Sequence, residues 1–151
     1  MTIYSKTQQQ IAEKIQETSA LSNWKDWKWQ LKNSVHDIAT FERLLGVQLS
    51  PALREQCEAT LATFPLAVTP YYLSLIDRNE FANDPVFRQS FPSPAELHVG
   101  RYDLEDPLFE DADSPVPGIT HRYPDRVLFH ISNVCAMYCR HCTRKRKVGD
   151  V

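Results

Sequence analysis

The chain has 151 residues, 42% of them hydrophobic and 24% charged, which is the balance of an ordinary globular domain and excludes wholesale disorder. Its net charge of −2 gives no global attraction for nucleic acid or an anionic membrane, so neither is expected as a partner. No apolar stretch approaches the ~20 residues of a membrane span, and Met1 to Gln10 lacks the apolar core of a signal peptide, so a cytoplasmic location is expected.

The first hundred residues read as helical. Ile11 and Ile15, with polar residues between them, give a short amphipathic helix. Asn23 is expected to cap a segment whose stripe is Trp24, Trp27 and Leu31, with Trp29 off that stripe and facing another element. The three tryptophans bring large apolar area and read as core or subunit contact rather than as a site. Asp37 caps the next helix, with Ile38, Phe41, Leu44 and Leu45 on one face and Gly46 as the stop. Ser50-Pro51 starts another, carrying Leu53, Cys57, Leu61 and Phe64, because serine caps and proline fits the first turn. Thr69-Pro70 repeats that start signal ahead of Tyr71 and Tyr72. Asn83-Asp84-Pro85 opens a short helix through Phe87 and Gln89.

Four prolines between 85 and 107 then break regular structure. Residues 101–125 read as an ordered connector, since they lack the Gly/Ser richness of a flexible linker. Arg126-Val-Leu-Phe-His-Ile131 is a compact apolar run with β-branched and aromatic residues, and reads as a buried strand. The predicted organisation is thus a helical region over 1–100, a connector over 101–125, and a strand followed by a cysteine loop over 126–151.

Charge is unevenly spread. Asp103, Glu105, Asp106, Glu110, Asp111 and Asp113 form an acidic run, read as solvated surface. Arg140, Arg144, Lys145, Arg146 and Lys147 form a basic one around and after the cysteines, in which Lys145 and Lys147 also read as solvated.

Cys135, Cys139 and Cys142 fall within eight residues, spaced C-x3-C-x2-C, four residues after the predicted strand. Cytoplasmic thiols stay reduced, so clustered cysteines point to metal or redox chemistry rather than disulfides. Iron–sulfur clusters are held by cysteine thiolates, and three ligands on a [4Fe–4S] cubane leave one iron open to an exogenous ligand. The spacing leaves other readings standing. A structural zinc site normally pairs C-x2-C with a second pair of ligands, absent here, although His141 inside the loop is a conceivable fourth ligand. Free thiols are a third reading. Cys57, remote and on a helix face, reads as a small core residue.

At Cys135-Ala-Met-Tyr-Cys139-Arg-His-Cys142-Thr-Arg-Lys-Arg the sequence closely resembles the lysine 2,3-aminomutase family of the radical S-adenosylmethionine (SAM) superfamily. Trp24-Lys-Asp-Trp27-Lys-Trp29, Thr69-Pro-Tyr-Tyr-Leu-Ser-Leu-Ile-Asp77, Asp103-Leu-Glu-Asp-Pro-Leu108, Asp113-Ser-Pro-Val-Pro-Gly118 and Thr120-His-Arg-Tyr-Pro-Asp-Arg126 carry the likeness across about residues 23–149. The resemblance implies an isomerase that moves the α-amino group of an amino acid to its β-carbon with a [4Fe–4S] cluster, SAM and pyridoxal phosphate (PLP). The open iron would chelate SAM, whose reductive cleavage by an electron donor yields a 5′-deoxyadenosyl radical that takes hydrogen from the substrate. It further implies that Cys135, Cys139 and Cys142 ligate the cluster, that His141 and Tyr138 contact SAM, and that Arg144 clamps the substrate carboxylate in its planar fork. Arg122, Tyr123 and Arg126 match a stretch near the PLP phosphate, the other reading of Arg126 being a surface charge ahead of a strand.

The fold implied is α/β: a helical N-terminal region followed by the first strand and cluster loop of a truncated radical SAM (β/α) barrel. A complete barrel of this kind needs ~250 residues, and the family's PLP lysine lies far downstream. The expectation is therefore an N-terminal portion, inactive alone, of a parent that is a homo-oligomer. L-Lysine is the expected substrate. The alternatives are glutamate, the β-lysine-forming chemistry that modifies elongation factor P, or a stand-alone metal-binding or helical interaction module.

Overall fold

A computed structural model of the protein describes residues 4–15 and 19–149; the outer bounds of the predicted regions, residues 1–3 and 150–151, lie outside these. The architecture is mixed, with helices through residue 97, one small antiparallel hairpin after it and a single 3-10 turn at Lys145–Lys147.

Capping chemistry explains where the helices begin. Helix α1 (Lys6–Lys14) starts at Ser5, whose hydroxyl accepts from the Gln8 amide while Gln8 reaches back to the Ser5 amide. Asn23 does not cap the tryptophan segment as expected: it ends the one-turn α2 (Ala20–Asn23), and Asp26 caps α3 (Trp27–Lys32) by accepting from the Lys28 amide. The later start moves the stripe. Trp24 and Trp29 are buried with ring centroids 5.9 Å apart, whereas Trp27 is 66% exposed. Gln30, buried in α3, is fully engaged: its amide donates to the Trp24 carbonyl at 2.7 Å and its carbonyl accepts from the Tyr71 amide at 2.8 Å.

The remaining helix starts follow the sequence signals. Asp37 caps α4 (Ile38–Leu45) and Gly46 closes it at φ +79°, a left-handed geometry that suits glycine. Ser50, Thr69 and Asp84 cap α5 (Pro51–Leu61), α6 (Pro70–Leu73) and α7 (Pro85–Ser90), each with proline in the first turn.

One hydrophobic core unites these helices, with Ile11, Phe41, Leu44, Leu45, Leu66 and Leu73 at its centre. Phe41 of α4 meets Phe91 at 4.4 Å and Phe87 of α7 at 5.8 Å, which fastens α7 to the core. Cys57 is buried, as its helix-face position indicated, and its thiol faces the Pro92 carbonyl at 3.5 Å. A single bridge, Val35 to Val68, with hydrogen bonds of 2.8 and 3.1 Å, pins the segment after α5 across the helical unit.

Beyond residue 97 the expectation changes. Residues 119–123, expected within a connector, form β1 (Ile119–Tyr123), paired antiparallel with β2 (Arg126–Phe129). The predicted buried strand is therefore shorter than 126–131 and exposed along its whole length, with Phe129 at 64%. Its apolar residues cannot all be covered by a two-stranded ribbon, and Val127 and Leu128 stay 51% and 41% exposed. The tight turn at Pro124-Asp125 has a second effect. It reverses the chain, so that the segment after His130 runs back beside the segment before Gly118, with the His130 amide donating to the Gly118 carbonyl at 2.8 Å.

Candidate metal centre and neighbouring cleft

That reversal carries the basic run alongside the acidic one. Arg144 forks onto Glu110, with Nε to the carboxylate oxygens at 3.1 and 3.2 Å and Nη2 to Oε1 at 2.5 Å, and Lys147 joins it at 3.4 Å. Arg146 forks onto Asp111 at 2.7 and 2.8 Å and reaches Asp106 at 3.1 Å. The reading of the acidic run as solvated surface is corrected at Glu110: it is buried, and its carboxyl is held below the ordinary range chiefly by the Arg144 hydrogen bond. Asp106 and Asp111 are shifted the same way, Asp106 by the Asp111 amide first and Asp111 by Arg146 first. Surface pairs of this type contribute little to stability individually, but the Glu110 pair is partly withdrawn from water and contributes more.

The cysteine loop leans on the helical unit. The Tyr138 amide donates to the Ala67 carbonyl at 3.1 Å, and the Arg140 amide to the Gln89 carbonyl at 2.8 Å. The Arg140 side chain donates to the Pro65 carbonyl at 2.9 Å and forks onto Glu96, at 3.0, 3.2 and 2.7 Å. Lys145 also bonds Glu96 and lies over the Phe64 ring at 4.6 Å. Its assignment to solvent is likewise corrected, as is that of Lys147. Arg140 and Glu96 side chains are 7% and 12% exposed. Removing one partner of such a buried pair typically costs about 3–5 kcal/mol, because the other charge is stranded.

Cys135, Cys139 and Cys142 face one cavity of about 60 Å³, closed by Pro65, Tyr138 and Val148. Cys135 is exposed, and Cys139 and Cys142 are half-buried. No three His, Cys, Asp or Glu side chains among the described residues stand together as a finished ligand set. The sulfurs nonetheless share an environment. Burial pushes the Cys139 thiol above its ordinary value, and the neighbouring Cys142 and then Cys135 push the same way. A set of soft sulfur donors on one cavity fits a thiolate-bound iron or zinc group in its chemistry.

His141, between two of the cysteines, is exposed. Tyr138 is half-buried, with its ring beside Gly149. The other named residues collect elsewhere. Arg122, Tyr123, Arg126 and Arg144 line one cleft of about 320 Å³ together with Glu110 and Thr120. Within it Arg122 bonds Asp113 at 2.8 Å and the Leu108 carbonyl, and Arg126 bonds Asp125 at 3.0 Å while stacking over Tyr123 at 5.3 Å. Hydrogen bonding to Asp113 holds the Arg122 guanidinium above its ordinary value. A cleft with three guanidinium groups suits a small anionic ligand. The carboxylates Glu96 and Glu110, which organise both features, were not singled out from sequence. The available signal was the opposite sign of the 103–113 and 140–147 runs on either side of a hairpin turn.

No protein-family model matches the chain. Curated proteins do. The chain is 52% identical over 137 residues to the L-lysine 2,3-aminomutase of Methanococcus maripaludis, covering 91% of this chain and 32% of that protein. It is 48% identical over 128 residues to the L-lysine 2,3-aminomutase of Bacillus subtilis, covering 85% and 26%. It is 40% identical over 128 residues to the glutamate 2,3-aminomutase of Clostridioides difficile, covering 85% and 29%. The chain thus spans about a third or less of the length of these relatives. Identity near one half, sustained over most of its residues, means that the chain belongs to the lysine 2,3-aminomutase family.

Proposed function

We propose that this chain is the cluster-bearing portion of a radical SAM, PLP-dependent amino-acid 2,3-aminomutase that converts L-lysine to β-lysine. The observation that carries the reading is the shared cavity of Cys135, Cys139 and Cys142, in a chain about half identical to lysine 2,3-aminomutases. On this reading the three cysteines hold a [4Fe–4S] cluster by three irons, and β2 with its following loop begins a radical SAM barrel. When bound, the cluster and SAM supply a radical that removes hydrogen from the substrate, and PLP carries the nitrogen as it shifts.

The chain's own residues bind and orient. His141 and Tyr138 border the cysteines and would contact SAM. Arg122, Tyr123 and Arg126 would receive the PLP phosphate in the guanidinium-lined cleft. Arg144, on the same cleft, would take the substrate carboxylate in place of the Glu110 carboxylate that its fork holds. Lysine is favoured over glutamate because the lysine-named relatives from Methanococcus maripaludis and Bacillus subtilis are 52% and 48% identical and the glutamate-named protein of Clostridioides difficile 40%, although two relatives named putative L-lysine 2,3-aminomutase are 37% identical. The partners this requires are a small amino acid and an electron donor.

The test is anaerobic reconstitution of the chain with iron and sulfide. The reading predicts about four irons per chain and the broad visible absorbance of a cubane cluster, with an electron paramagnetic resonance signal of the reduced form that changes when SAM is added. A colourless protein holding one zinc, or a cluster indifferent to SAM, refutes it.

A further inference from the structure

The cysteine loop is only partly withdrawn from water: Cys135, Ala136 and His141 are exposed, and Met137 and Tyr138 are half-buried. Beside the backbone bonds to Ala67 and Gln89, its side-chain ties are polar and converge on one carboxylate. Arg140, set between Cys139 and His141, forks onto Glu96 and donates to the Pro65 carbonyl. Glu96 belongs to the turn Pro94–Leu97, far from the loop in sequence, and the Ser93 amide donates to its Oε1 at 2.7 Å, which fixes the carboxylate before the loop arrives. Lys145, on the other side of Cys142, closes on the same carboxylate. One half-buried carboxylate thus ties down the chain on both sides of the last cysteine.

We propose that Glu96 is a positioning residue for the cysteine loop: by gripping Arg140 and Lys145 it seats Cys139 and Cys142 against Phe64 and Pro65, so that the loop is shaped for its metal group before that group binds. Preorganisation of a ligand loop reduces the ordering that binding must otherwise impose, and partners of this kind tune metal retention without touching the metal. Burial pushes the Glu96 carboxyl up, but hydrogen bonds from Arg140, Lys145 and the Ser93 amide outweigh it and hold the carboxyl below the ordinary range. The grip is therefore ionic at neutral pH.

The inference rests on the proposed cluster role for its purpose, but not for its geometry, and the test separates the two. Native alkylation with iodoacetamide is followed cysteine by cysteine in the metal-free chain, with buried Cys57 as an internal reporter of global unfolding. Glu96→Gln keeps an acceptor for the Ser93 amide and removes the charge, and Arg140→Gln removes the fork. The two changes alter the charge near the thiols in opposite directions, so a rise in both reports exposure rather than ionisation. Both variants are expected to raise Cys139 and Cys142 alkylation by about tenfold, the scale of losing one charge-assisted fork, with Cys57 unchanged. After reconstitution both should lose iron to a chelator faster than the parent chain. Unchanged loop alkylation overturns the proposal, and so does a rise in which Cys57 keeps step, since Glu96 is then only a fold-stabilising residue. A loop that loosens as expected in a chain that takes up no iron upholds the seat and refutes the cluster reading alone.

Discussion

Phe41 is the point at which the helical unit is most sensitive. Its ring is fully buried and meets Phe87 and Phe91, the residues that bring α7 onto α4. Phe41→Ala removes the whole ring and is expected to cost about 3–5 kcal/mol. That is a large share of the roughly 5–15 kcal/mol that holds a domain together. Phe41→Leu is the sharper probe. It keeps most of the apolar volume and loses two aromatic pairs at about 0.5–1.5 kcal/mol each, so about 1–3 kcal/mol is expected. Urea unfolding followed by far-ultraviolet circular dichroism reads this as a lower midpoint at an unchanged slope. The effect should reach the cysteine loop, because the Gln89 carbonyl that receives the Arg140 amide sits on α7. If Phe41→Leu costs no more than the about 0.5 kcal/mol of an ordinary surface substitution, the core described here is not the one that stabilises the protein.

Acid should loosen the contacts of both carboxylates. Glu96 and Glu110 are held below the ordinary glutamate value, so the folded chain releases protons that the unfolded chain still binds; their contribution is complete above about pH 4.3 and is lost as pH falls through the lower folded values. Melting temperatures recorded from about pH 6 to about pH 3 should therefore fall less steeply in the Glu96→Gln/Glu110→Gln double variant than in the parent, and superimposable acid limbs would contradict the pairing. Gly46→Ala is expected to lower stability by about 1–2 kcal/mol, since its φ of +79° disfavours a side chain and the new Cβ would meet Lys14 Nζ at 3.0 Å. A urea midpoint equal to that of the parent would count against this helix stop.

The helical half was legible because its signals are local. Ser50-Pro51, Thr69-Pro70 and Asp84-Pro85 each combine a capping side chain with a proline that needs no amide partner, and each opens a helix where expected. The tryptophan segment was misread because Asn23 and Asp26 are both competent caps three residues apart, and choosing the first put Trp27 on the buried stripe in place of Trp29. The strand was recognised by composition, but composition does not say what covers it: the same Val127, Leu128 and Phe129 suit a buried parallel strand and an exposed antiparallel ribbon. At the site, the cysteine triad was visible in its spacing. The carboxylates were not, because Glu96 lies 44 residues before Arg140 and Glu110 34 before Arg144, and only the hairpin reversal and the docking of the loop on residues 65–67 make them neighbours.

The central claim is that three sulfurs, and not the fourth, hold an iron–sulfur group. Cys135→Ala, Cys139→Ala and Cys142→Ala should each abolish stable iron uptake under anaerobic reconstitution, while Cys57→Ala, which alters only a buried core position, keeps the parent's iron content and visible spectrum. Full iron retention in any of the three loop variants, or loss of iron in Cys57→Ala with the fold intact, would contradict the account.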